Sequence, residues 1–242
     1  LVVTIFLALV ALGFSGLGQA QVINEFVVNH TGQDTHEFIE VFGNPTTDLS
    51  HLTLVQIEGD DDDNPGYIVR AIEVGTTDGD GLWWTGFLLE PGMNDDDYVT
   101  LFLVTGFYGS AGTDLDLTDN GVLDSTPWDG IVDEVGVVGW DNVNNLPVSG
   151  SNYSLVNLEP NSDGQPYSWG GASRIPNGTD TDTASDWVRN DYSGAGLPGF
   201  PGTVDANEAY NTPGNPNSTT EPPPVQDPLI NEWVADHIGT DD

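Results

Sequence analysis

The strongest constraint on this chain is that it states its opening phrase twice. Val22-Ile-Asn-Glu-Phe-Val-Val28 begins again as Leu229-Ile-Asn-Glu-Trp-Val234. Shifted by 207 positions, Ile230, Asn231, Glu232, Val234, His237, Gly239 and Asp241 fall on Ile23, Asn24, Glu25, Val27, His30, Gly32 and Asp34, seven identities in thirteen aligned positions. A phrase repeated at that distance marks the start of a structural unit. The sequence therefore predicts one complete module at 21–217, a Pro-rich linker at 218–228 built on Glu221-Pro-Pro-Pro224, and at 229–242 the first strand of a second, truncated copy. Tandem copies in one chain imply that this is a fragment of a longer protein.

Ahead of the first copy, residues 1–14 form an uncharged apolar run, followed by small residues up to Gly18-Gln19-Ala20. The run is too short to span a bilayer and ends where signal peptidase cuts, so residues 1–20 read as a signal peptide, itself shortened at its front. Export is the expectation: a secreted or cell-surface protein, with no membrane span left after cleavage.

From Val22 onward apolar residues come in short runs rich in Val, Ile, Leu, Phe, Tyr and Trp, separated by Gly, Pro, Asn and Asp, with no sustained helical period. Strands are predicted at 22–28, 37–42, 52–57, 67–74, 82–89, 98–104, 131–138, 153–155 and 187–189. Short strands with frequent turns predict an all-β sandwich with long acidic loops. The strand at 37–42 does not alternate cleanly: Phe38 and Phe42 point one way, Ile39 and Val41 the other, which predicts a central strand covered on both sides. After Asn157 the pattern loosens into coil.

Charge removes whole classes of function. Asp and Glu number 39 against three cations, Arg70, Arg174 and Arg189, for a formal net charge of −36. Phosphate-backbone binding needs clustered Lys and Arg, so direct nucleic-acid binding is not expected, and anionic lipid is repelled too. Solubility in salty surroundings is the simpler reading of the acid load, and bulk divalent-cation binding the alternative. The absence of cysteine removes disulfides, thiolate nucleophiles and thiolate metal sites, and in an exported protein leans towards a bacterial source.

Two separated stretches suggest a family. The opening Ile-Asn-Glu strand, Glu37-Phe-Ile-Glu-Val-Phe-Gly-Asn44 and Asp48-Leu-Ser50 form the first. Ser173-Arg-Ile-Pro-Asn-Gly-Thr-Asp180, Asp186-Trp-Val188 and Thr212-Pro-Gly-Asn-Pro-Asn217 form the second, with Asp129-Gly-Ile-Val-Asp-Glu-Val135 between them. In order and residue type these resemble the lamin-tail domain, of the type found in secreted bacterial proteins. The resemblance implies an immunoglobulin-like β-sandwich without catalytic residues of its own. Residues 58–97 and 190–210 are longer than in a compact member of that family.

Candidate sites were sought among the acids first. Asp116, Thr118 and Asn120 carry oxygen at alternate positions before Gly121, and Asp114 and Asp119 flank them, which makes Asp114, Asp116, Asp119 and Asn120 the calcium candidates; a solvated turn is the competing reading. Pro127 stands where an EF-hand loop would have its Glu. His36-Glu-Phe-Ile-Glu40 lacks the second His of a zinc-protease helix, and His30, His36 and His51 are close only in sequence. Arg174 and Arg189 are expected to lock aspartates such as Asp180 or Asp186 rather than clamp an anion. Trp83, Trp84 and Trp140 are expected in core and rim rather than in a sugar platform. Glu25, Glu37 and Glu40, first noticed as paired carboxylates, read as structural because the phrase carrying Glu25 is repeated.

The sequence thus predicts a non-catalytic exported β-sandwich that needs no cofactor, though Ca²⁺ is possible. Its role is that of a spacer, surface-interaction or assembly module, with an unidentified protein or cell-surface partner. One alternative is an accessory module of a secreted metal-dependent nuclease or phosphoesterase. Another is a calcium-stabilised adhesion array.

Overall fold

The computed structural model describes residues 20–33, 35–61, 64–88, 98–141 and 146–221. The predicted signal peptide, apart from Ala20, and the predicted second copy lie outside them, as do most of the linker, Asp62 and Asp63 of one acid cluster, and Asp95 to Asp97 of another. Among the described residues, no helix is long and apolar enough to cross a membrane.

The described residues form twelve strands in chain order: β1 (Val22–Val27), β2 (Phe38–Phe42), β3 (Leu52–Glu58), β4 (Ile68–Glu73), β5 (Leu82–Trp84), β6 (Val99–Thr105), β7 (Gly130–Val137), β8 (Trp140–Asp141), β9 (Leu146–Pro147), β10 (Asn157–Leu158), β11 (Gly171–Arg174) and β12 (Trp187–Arg189). A 3-10 turn, Ala184–Asp186, precedes β12. One five-stranded sheet has the order β12-β11-β1-β2-β5 and a second the order β10-β7-β6-β3-β4, while β8 and β9 form a separate hairpin. Two sheets of largely antiparallel strands enclosing one core are the sandwich that the apolar runs predicted.

The core between the sheets is set by alternation. Leu52 and Leu54 of β3, Leu101 and Leu103 of β6, and Val135 and Val137 of β7 meet Ile23, Phe26, Ile39, Val41 and Ala172 of the first sheet. Ile23 and Phe26 are three apart, which strict alternation would send to opposite faces. A bulge solves this: Ile23 pairs with Val41 and Glu25 with Glu40, leaving Asn24 as the extra residue. Beyond the bulge Glu25 and Val27 point away from the core. On β2, Ile39 and Val41 face inward and Phe38, Glu40 and Phe42 outward, yet all five are buried. The first sheet is therefore covered on its outer side as well.

Both sheets carry such a cover. Over the second sheet, Leu115 and Trp128 pack on Val55, Ile57, Ile68, Phe102 and Val104. Over the first, Leu197 and Phe200 pack on Val27 and Phe38, and the chain 209–217 passes close by with Ala209 to Thr212 buried.

Two predicted strands are corrected and a strand that was not predicted is added. Residues 153–155 are not a strand, because side chains take their backbone N–H groups: Tyr153 donates to Thr100 Oγ1, Ser154 to Asn152 Oδ1 and Leu155 to Glu134 Oε2. The pairing comes later, at β10, which runs parallel to β7. The strand predicted at 82–89 ends at Trp84, where Gly86 turns the chain at φ +72°; Leu88 rejoins as a bridge to Glu37, and Leu89 lies outside the described residues. The third correction is an omission. Gly-Ala-Ser-Arg at β11 has little intrinsic preference for a strand, yet it sits fully buried between β1 and β12. A Cβ at Gly171 would lie 2.6 Å from the Phe26 carbonyl oxygen, so the neighbouring backbone demands glycine there.

Candidate functional site

The outer face of the first sheet carries Glu25 and Glu40. The bulge sets Glu25 of β1 beside Glu40 of β2, both fully buried. The returning C-terminal coil satisfies them. Thr212 donates its N–H to Glu25 Oε1 (2.9 Å) and its hydroxyl to Oε2 (2.7 Å), and Asn190 Nδ2 donates to Oε1 (2.8 Å). Gly214 N–H donates to Glu40 Oε2 (2.8 Å), and Asn24 Nδ2, swung out by the bulge, donates to Oε1 (2.9 Å). Burial pushes the Glu25 carboxyl up to about 7 against these bonds. Glu40 is also pushed well up, by burial first and by the neighbouring Glu25 second. Glu37 is buried at the near end of the same strand.

Arg174, 1% exposed, is the centre of a second network. Its Nη2 donates to both oxygens of Asp133 (3.0 and 3.1 Å), tying β11 of the first sheet to β7 of the second. Nη1 donates to Thr179 O and Asp180 and approaches Asp186 at 3.5 Å, while Nε donates to Ile23 O. The guanidinium stacks 4.4 Å from the Trp187 ring centroid. Both aspartates expected of Arg174 are present, and Asp133 is an unanticipated third. Burial outweighs the pull of Arg174 and raises Asp133 to about 6, so it stays charged at neutral pH. Asp186 also accepts from Thr181 and Thr183, which hold its carboxyl below the usual range despite burial.

Arg189 pairs not with Asp180 or Asp186 but with Asp163, at 2.6 and 3.1 Å, and donates to the carbonyls of Tyr167 and Ser168. It lies over Trp169 at 4.5 Å. At this end of the sheet, where β1 and β12 finish and β11 begins, a cavity of about 350 Å³ opens. Asn29, Gln165, Tyr167, Ser168, Tyr192 and Glu208 are among the residues lining it. A smaller cavity of about 160 Å³ also has Gln165, Arg189 and Glu208 in its wall. Asp191, Asp205 and Glu208 bring carboxylate oxygens within 4.8 Å of one another here, the one such group of acids among the described residues. Asp191 already accepts the N–H groups of Ala195 and Asp205, which fixes the loop 191–205. Burial, then Asp191 and Asp205, push Glu208 up to about 7.

The calcium candidates form a turn. Asp116, fully buried, accepts N–H bonds from Asn120 and Gly121 and the Tyr153 hydroxyl on its two oxygens, which lowers its pKa. Asp114 accepts the Asp116 N–H and Asn120 the Val122 N–H, so two further side-chain oxygens serve the loop itself. Asp119 holds the left-handed position at φ +48°. These bonds run within the loop, and Asp114, Asp116 and Asp119 do not gather their carboxylates as Asp191, Asp205 and Glu208 do. His30 and His36 do meet: the His36 N–H donates to His30 Nε2 (3.2 Å), and both rings pack edge-on to Phe200. Burial and His30 lower the His36 pKa. His51 lies at the start of β3, exposed. Trp83 packs towards the core and Trp84 towards the outer cover, so they form no common platform.

Sequence reasoning missed the cavity. Its walls come from short segments scattered from Asn29 to Glu208, and 190–210 showed only as added length. No family model, curated protein or solved structure matches this chain.

Proposed function

We propose that residues 21–217 are a non-catalytic, exported, immunoglobulin-like module of a larger bacterial extracellular protein, acting as a spacer, surface-interaction or assembly unit. One observation carries this reading: the motif residues of the two ends and the middle are spent on one another. Asn24 accepts from Gly178 N–H, Asn217 donates to the carbonyls of Asn24 and Arg174, Thr212 and Gly214 hold Glu25 and Glu40, and Arg174 holds Asp133. Carboxylates whose oxygens already receive two or three donors in a buried setting are poor candidates for proton transfer to a substrate. The same meeting of opening and closing motifs supports the lamin-tail resemblance, because residues that mark a family without catalysing anything are expected to be those that close its fold.

The test is direct. The purified full chain, incubated with DNA and with a chromogenic phosphodiester in Mg²⁺, Mn²⁺ or Ca²⁺, is expected to turn over neither. Turnover that Glu25→Gln abolishes without changing the thermal midpoint would overturn the reading in favour of the nuclease or phosphoesterase alternative.

A further inference from the structure

We propose that the cavity beside Arg189 is a binding site for a neutral saccharide, with Tyr167 and Tyr192 supplying apolar faces and Asn29, Gln165, Ser168 and Glu208 supplying hydrogen bonds to hydroxyl groups. This gives the interaction module a ligand class and rests on that reading. At about 350 Å³ the cavity falls at the lower end of sites that hold small ligands, room enough for one or two sugar rings.

The lining has the right chemistry. A pyranose offers a flat C–H face and a rim of hydroxyls that both donate and accept. Tyr167 is 51% exposed and Tyr192 49%, so two large rings stay half uncovered on one cavity. A half-exposed tyrosine presents an apolar ring with a polar tip at little cost in conformational freedom, which is why the residue recurs at binding surfaces. Around the rings stand two amides, a hydroxyl and carboxyl groups. The Ser168 Oγ is enclosed and has no hydrogen-bond partner within the protein, a group that a ligand hydroxyl would satisfy.

Charge narrows the ligand. Asp205 and Glu208 line the cavity in a chain of net charge −36, so an acidic glycan or a phosphate is repelled. Arg189 does not reverse this, because four of its five N–H groups are committed to Asp163 and to the carbonyls of Tyr167 and Ser168. Those bonds have a second use. They pin the backbone of Tyr167 and Ser168, while Gly170 lets the opposite wall close: a Cβ there would sit 2.5 Å from Asn29 O and 3.0 Å from Tyr192 Cδ2. The walls are held before any ligand arrives, which lowers the entropy lost on binding.

Affinity electrophoresis of the full chain through gels containing laminarin, xylan, hydroxyethyl cellulose or starch, with alginate as the anionic comparison, tests the site. At least one neutral polymer should retard the protein and alginate should not. Tyr167→Ala and Tyr192→Ala should each weaken retardation about tenfold with an unchanged melting curve. Should Tyr192→Ala disturb the fold, Gln165→Ala takes its place. Three outcomes overturn the proposal: no retardation by any neutral polymer, equal retardation of the variants, or retardation that a chelator abolishes while the tyrosine variants still bind, which would assign the site to a cation on Asp191, Asp205 and Glu208. Failure to bind leaves the module reading intact. Release of reducing sugar would instead keep the site and overturn the non-catalytic reading.

Discussion

Each sheet of the sandwich is covered on the side away from the core, and the two covers use different chemistry. Over the second sheet lies an apolar cover: Trp128 packs on Phe102 with ring centroids 5.4 Å apart and the rings tilted by 44°, and Leu115 packs with Val55, Ile57 and Ile68. Over the first lies a cover largely hydrogen-bonded to carboxylates, Thr212 and Asn190 on Glu25 and Gly214 on Glu40. Apolar burial is non-directional and indifferent to pH, whereas a buried carboxylate holds its cover in one register and titrates. The first cover gains specificity in exchange for sensitivity to conditions.

Removing Arg174 should have the largest effect. Arg174→Ala leaves Asp133 and Asp186 buried without their cation and detaches β11 from β7, an expected loss of about 4 kcal/mol in chemical unfolding. An unchanged midpoint would mean that the joint between the two sheets, beneath the first cover, does not depend on this network. Trp128→Ala opens a hole in the other cover and should cost about 3 kcal/mol, the same at about pH 5 as at about pH 8. A cost that varied with pH would erase the distinction between the covers.

The smallest effect is the most discriminating. Glu25 has a folded value of about 7 against an ordinary 4.5, so between these values the folded protein holds more protons than the unfolded chain. Stability is therefore fullest at and below the lower value and is lost as pH rises through the upper one. Glu40, Asp133 and Glu208 are shifted in the same direction. The melting temperature should fall from about pH 5 to about pH 8, and Glu25→Gln, which mimics the protonated form, should flatten that slope by on the order of 1 kcal/mol. A slope left intact would place the titration outside this carboxylate pair.

The apolar runs made the sheets legible, because Val, Ile, Leu and Phe in period two report burial wherever they occur. They could not reveal Gly171 to Arg174, which is a strand only because β1 and β12 flank it. Scarcity made Arg174 legible: one of three cations among 39 acids had to be spoken for. Its partners at 180 and 186 were near enough in sequence to guess, but Asp133, 41 positions away, was not. The same limit hid the partner of Glu25, since Thr212 is 187 residues distant. At Asp116 the spacing favoured a solvated turn over calcium, and the backbone amides of Asn120 and Gly121 donate to its oxygens.

The return of the coil to the first strand has a mechanical consequence. Asn217 Nδ2 donates to Asn24 O at 2.9 Å, so the chain leaves the sandwich where it came in. A pull between residues 21 and 221 would load Ser218 O on the Tyr210 N–H first, then the bonds of Asn217, then Gly214 on Glu40 and Thr212 on Glu25, each in turn. Bonds broken singly resist far less than bonds sheared together. Under tension the coil would peel from the sheet at low force, and the buried glutamates would meet water before either sheet gave way.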